Sequence, residues 1–118
     1  MNDLITKVIA WANERNIIQG STAIKQLDKT SEEFNELQRA VATIPYKQEY
    51  FLDLGYGPYA EEVYDDVDDA FGDILVTLII AATILKRDLS TCLEKAYDVI
   101  KDRKGRLVDG KFLKESDL

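Results

Sequence analysis

The chain of 118 residues carries 22 acidic against 15 basic side chains, no histidine and a single cysteine, for a net charge of -7. The length fits one domain, 1–118, and the acidic balance excludes a general binder of nucleic-acid polymers, whose affinity needs a dominant basic surface. The missing histidine excludes Ser-His-Asp and Cys-His nucleophiles, His-ligated zinc and Glu-x-x-His di-iron bundles together.

Cys92 alone forms no intrachain disulfide, so a reducing compartment is the simplest fit, and the residue is expected to be a buried packing cysteine. The start, Met1-Asn2-Asp3-Leu4, lacks the basic and apolar regions of a signal peptide, and a cytoplasmic location is expected.

The first predicted helix runs from about Leu4 to Arg15, with Leu4, Val8, Trp11 and Ala12 at helical spacing and Asn2 or Asp3 as N-cap. Gly20 breaks the pattern. A second helix, capped by Ser21 or Thr22, runs to about Thr43, before Pro45. It carries two adjacent seams: Leu27, Thr30, Phe34, Leu37 and Val41 are expected to pack, while Gln26, Lys29, Glu33 and Glu36 face a polar space.

Residues 45–59 form an aromatic-rich insertion with Tyr46, Tyr50, Phe51, Tyr56 and Tyr59 among Gly55, Gly57 and Pro58, read as a loop or short helix. A third helix follows, from about Ala60 to Lys86. Its stretch from Ile74 to Leu85 is apolar nearly all round but shorter than the ~20 residues a bilayer span needs, so it is read as a helix buried in a core or subunit interface. Oligomerisation is expected from it. Asp88 or Ser90 caps a fourth helix ending near Lys104, with Gly105 as its left-handed C-terminal residue. In the tail, 105–118, Asp109-Gly110 suits the type I′ turn of a small hairpin.

Two acidic clusters carry the candidate chemistry. Glu33 and Glu36 share a helix face, and Glu32 sits close enough to join them or to hydrogen-bond an attacking water. Solvated helix surface is the plainer account of such a group. The third helix changes the balance: seven of the thirteen residues from Glu61 to Asp73 are acidic, more than solubility and the helix dipole require.

Asp73 precedes the apolar run and is expected to be partly buried, with Asp66 and Asp69 on its own face, an arrangement that a cation relieves. Gly72, which costs ~1 kcal/mol in a helix interior, is expected to mark the close approach of a neighbouring helix. Packing the second helix there brings Glu33 and Glu36 opposite Asp69 and Asp73, an all-oxygen set suited to Mg²⁺ or Mn²⁺ with a phosphate substrate. Lys101, Arg103, Lys104 and Arg106 outnumber what a helix C-terminus attracts and, with Lys29, form a candidate phosphate clamp.

The order Gln26-x-x-Lys29-x-x-Glu32-Glu33-x-x-Glu36-Leu37, a variable insert, Asp69-Ala-Phe-Gly72-Asp73-Ile-Leu-Val, then Ala96-Tyr-Asp-Val-Ile-Lys101-Asp-Arg103-Lys104-Gly105 resembles the MazG-like all-α nucleoside triphosphate pyrophosphohydrolases. The tail looks like that of small, often phage-encoded members. Two departures stand out. The family's second motif is commonly E-x-x-D, but Ala70 lies three before Asp73, with Asp69 one residue earlier; and Asp98 stands where relatives often carry a substrate-facing Asn.

The resemblance implies an all-α, MazG-like four-helix bundle, a homodimer or homotetramer, that hydrolyses a nucleoside triphosphate to the monophosphate and pyrophosphate. In it Glu33, Glu36, Asp69 and Asp73 would hold Mg²⁺, and Glu32 would orient or deprotonate water. Gln26, Lys29, Asp98, Lys101, Arg103 and Lys104 would meet the substrate. No membrane partner and no nucleic-acid polymer is expected. Rival readings are a non-catalytic nucleotide- or partner-binding bundle of the same fold, and a structural bundle whose acids only keep it soluble.

Overall fold

The computed structural model describes residues 2–57 and 60–118. Pro58 and Tyr59 of the insertion, and Met1, lie outside the described residues. The described chain is mostly helical, with six α-helices and a two-stranded hairpin, and it divides into two compact units, one through Lys86 and one from Arg87 to Leu118. None of the described helices is long and apolar enough to cross a membrane.

In the first unit, α1 (Asn2–Glu14) already contains Asn2 and Asp3, so neither is its cap. Ile5 and Ala12, seven apart on one face, are buried, with Val8 and Ile9 half-buried between them. Asn16, left-handed at φ 59°, turns the chain into the single turn α2 (Ile17–Gly20). The Thr22 side chain then accepts a hydrogen bond from Lys25 N–H at 3.2 Å and starts α3 (Ala23–Ala42).

Pro45, tolerated in a first turn where N–H groups have no helical acceptor, opens α4 (Ile44–Asp53), which occupies most of the predicted insertion. There Phe51 meets Tyr50 and Tyr56 edge to face, at 5.3 and 5.2 Å between ring centroids. A 3₁₀ turn, Glu61–Tyr64, buries Val63 and leads into α5 (Asp65–Ile84).

Helices α3 and α5 form the principal contact, and α1 packs on α5. The apolar run behaves as expected in part: Ile79, Ile80, Ala81 and Ala82 are buried, whereas Leu75 and Leu85 are exposed. The face of α3 turned to α5 differs from expectation. Thr30, Leu37 and Ala40 are half-buried and Glu33 is buried, while Leu27, Phe34 and Val41 stay exposed. The contact runs between the two predicted seams, and Thr30 fixes it by a 2.7 Å hydrogen bond to the buried Thr77. Gly72 also departs from expectation, because a Cβ placed there would meet no atom within 4 Å.

The second unit holds α6 (Leu89–Ile100), whose N-cap Asp88 accepts from Ser90 N–H and Thr91 Oγ1 at 3.3 and 3.0 Å. Cys92 on this helix is exposed, contrary to the expected burial. Strands β1 (Gly105–Val108) and β2 (Lys111–Lys114) pair antiparallel with Val108 opposite Lys111. Asp109 and Gly110, at φ 52° and 78°, make the predicted two-residue turn. Gly105 is not a left-handed helix end. It begins β1, where a Cβ would stand 2.1 Å from Leu113 O, so the strand pairing itself requires glycine.

Candidate functional site

Three of the predicted carboxylates come together. A cleft of about 510 Å³ opens along one side of the α3–α5 contact, and Glu36 of α3 lines it with Asp69 and Asp73 of α5. Antiparallel packing explains the meeting: with Thr30 level with Thr77, residues further along α3 face residues earlier in α5. Asp73 is exposed on the cleft wall and not partly buried as expected, because one step along a helix turns a side chain ~100°, away from the apolar face that begins at Ile74.

The carboxylate that is buried is Glu33, at 7% exposure. Its Oε1 lies 3.5 Å from Lys29 Nζ, but its Oε2 has no hydrogen-bond partner. An unsatisfied buried carboxylate oxygen is costly and calls for an explanation. Glu32, one residue earlier, points outward and accepts from the same Lys29 Nζ at 3.2 Å. That hydrogen bond, together with the charges of Glu32 and Glu33, raises the Lys29 ammonium above its usual value.

The donor chemistry of Glu33, Glu36, Asp69 and Asp73 fits a hard divalent cation, which prefers carboxylate oxygen. As placed, no three acidic side chains among the described residues stand close enough to enclose one.

Two cations on the cleft were not foreseen from the sequence, Arg39 and Lys47. Arg39 follows Glu36 by three residues and could have been read from that spacing. Lys47 could not, since its position depends on how α4 leaves α3 at Thr43; it forms an ion pair with Asp66 Oδ2 at the cleft.

The remaining predicted residues have local settings within their own units. Gln26 is half-buried and donates from its amide to Ser21 Oγ at 3.0 Å. In the C-terminal unit, Asp98 accepts from Lys101 Nζ at 3.4 Å, a local partner that offsets the carboxylate. Arg103 and Lys104 line a shallow hollow of about 420 Å³ with Lys114 and Glu115. Trp11 carries the Arg15 guanidinium 4.7 Å from its ring centroid, and Asn13 accepts from Gln19, so both have structural partners within the first unit.

Over 95 residues the chain is 30% identical to an uncharacterized 18.2 kDa protein in the rep-hol intergenic region of Haemophilus phage HP1 (strain HP1c1). The alignment covers 80% of this chain and 46% of that protein, so the chain spans less than half the length of this relative. No family model matches the chain, and no solved structure does.

Proposed function

We propose that the chain is a Mg²⁺-dependent, MazG-like nucleoside triphosphate pyrophosphohydrolase that converts a (d)NTP and water to a (d)NMP and pyrophosphate. The observation that carries this reading is the convergence of Glu36, Asp69 and Asp73 on one cleft; Glu33, buried with an unpartnered oxygen, precedes Glu36 by one turn of α3. The motif order described above supports the reaction class, and Mn²⁺ is an alternative cation. The proposed setting is the cytoplasm, in a homodimer or homotetramer; the many large apolar side chains left exposed support assembly.

Glu33, Glu36, Asp69 and Asp73 are the residues to hold the ion, which would neutralise phosphate charge and acidify the attacking water. Lys29, shared between Glu32 and Glu33, would exchange one carboxylate for a phosphate oxygen. Glu32, released by that exchange, would accept the proton of the attacking water. Arg39 and Lys47, the cations on the cleft, would take phosphate oxygens and stabilise charge developing on the pyrophosphate. This assignment rests on the N-terminal unit alone.

The test incubates purified protein with a panel of NTPs and dNTPs plus Mg²⁺ and measures pyrophosphate release. Release is expected for at least one nucleotide, falling at least about a hundredfold in Glu36→Ala and Asp73→Ala. No release above those variants for any nucleotide would overturn the hydrolytic reading. One observation favours a second reading, a non-catalytic nucleotide- or partner-binding bundle: Ala70, a cleft residue, stands where an E-x-x-D motif would place another carboxylate. Nucleotide binding by calorimetry without turnover would identify it.

A further inference from the structure

The side of α4 that borders the carboxylate cleft continues past it. Thr43, where α3 passes into α4, and Lys47 both line the cleft, and Tyr50 completes the i, i+4, i+7 spacing that puts the three on one stripe. Tyr50 itself lies beyond the lining, ~4.5 Å further along the helix axis than Lys47. The covered side of α4 is a different one: Ile44, Gln48 and Phe51, at three- and four-residue spacing, are half-buried, and the helix packs on the 3₁₀ turn Glu61–Tyr64. Tyr50 is 60% exposed.

Its ring is nevertheless held. Phe51 meets it edge to face, with centroids 5.3 Å apart and planes at 79°, and Phe51 is steadied in turn by Tyr56. In a T-shaped contact one ring turns its edge to the other, so at least one face of the Tyr50 ring stays uncovered by Phe51. An aromatic ring that is fixed before a ligand arrives loses little freedom on binding it.

Along this stripe the chemistry changes from cation to aromatic. Lys47, with Arg39 on the same cleft, offers charge to phosphate oxygens, and one turn later Tyr50 offers a flat π-surface. A nucleotide presents the matching order of phosphates, sugar and base. Pyrophosphate or a phosphorylated sugar would engage the cations and leave the ring without a role.

We infer that Tyr50 is the stacking platform for the base of a nucleotide whose phosphates lie in the cleft. The inference rests on the reading of the cleft as a nucleotide site, and not on whether the nucleotide is hydrolysed there. Every base has a π-face, so this contact holds purines and pyrimidines alike and separates nucleotides from other polyphosphates.

Calorimetric titration of the full chain, with Mg²⁺ present, against the α,β-methylene analogues of dATP and dTTP and against inorganic tripolyphosphate tests it. Tyr50→Ala should weaken both nucleotide analogues at least about fivefold and leave tripolyphosphate unchanged, while Tyr50→Phe, which keeps the π-face, should bind all three as wild type does. Tyr46→Ala, ~100° round the same helix from Lys47, should also bind as wild type does. Should Tyr50→Ala lose helix content by circular dichroism, Tyr50→Leu keeps apolar bulk without a π-face and should show the same selective loss. Equal binding of the analogues by wild type and Tyr50→Ala overturns this inference and leaves the cleft reading standing. A loss shared with tripolyphosphate overturns it by making Tyr50 a support for α4, and a Tyr50→Phe variant as weak as Tyr50→Ala does so by assigning the contact to the hydroxyl. A wild type that binds neither analogue overturns the cleft reading and the inference with it.

Discussion

Thr30 and Thr77 join the two principal helices through hydroxyls 2.7 Å apart, and each hydroxyl also lies against a carbonyl of its own helix, Gln26 O at 2.9 Å and Ile74 O at 2.8 Å. Two protons serve three contacts, so one hydroxyl always has a choice of acceptor. Thr30→Val or Thr77→Val alone should cost about 1 kcal/mol, because the remaining hydroxyl keeps its carbonyl. The double variant should cost less than the sum, with a coupling of about 0.5–1 kcal/mol by urea denaturation.

Glu33 presents the opposite situation, a buried side chain with too few partners. Lys29 reaches only Oε1 and is itself half in solvent, leaving Oε2 without a hydrogen bond. Glu33→Met keeps much of the volume and removes the orphaned oxygen, so the variant should be more stable than wild type by about 1–3 kcal/mol in EDTA. If Glu33 serves a cation, added Mg²⁺ should stabilise wild type and not the variant. Paired denaturation curves with and without Mg²⁺ check both, and a destabilised Glu33→Met in EDTA would contradict the reasoning.

Much of the local structure was legible because it is set by nearby residues. Thr22 caps α3 and Asp88 caps α6 through hydroxyl and carboxylate chemistry that needs only the following turn, and Asp109-Gly110 turns the hairpin through its own backbone preference. The packed face of α3 was not legible. Hydrophobic periodicity assigns Leu27, Phe34 and Val41 to the packed seam along with Thr30 and Leu37, but only the last two are half-buried, beside the buried Glu33.

The carboxylates could be grouped from their three- and four-residue spacings, since those spacings fix a face whatever the fold. Burial could not be inferred from adjacency to the apolar run. Asp73 stands next to Ile74 and is exposed, while Glu33, far from that run in sequence, is buried. Gly72, taken as a contact with another helix of the chain, has open space beside it.

Lys29 gives the fold an alkaline limit. Hydrogen bonding to Glu32, with the charges of Glu32 and Glu33, raises its folded value above the unfolded lysine value of about 10.4. The contribution is therefore fully present below that value and is lost as pH rises through the folded one. Wild type should lose stability more steeply than Lys29→Met above about pH 10, and the two curves should run parallel between pH 7 and 9 in denaturation series. Parallel curves throughout would show that the pair contributes nothing at this solvent-exposed position.

Arg39 and Lys47 separate a substrate role from a structural one. The Lys47–Asp66 pair is largely open to solvent on the Asp66 side, and an exposed pair contributes at most about 1 kcal/mol, so Lys47→Ala and Arg39→Ala should fold normally. If both meet phosphate in the cleft, each should weaken triphosphate binding about tenfold or more while leaving affinity for the nucleoside nearly unchanged. Calorimetric titration with a non-hydrolysable triphosphate and with the matching nucleoside checks this. Equal losses for both ligands would assign the two cations to holding α4 in place and not to the phosphates.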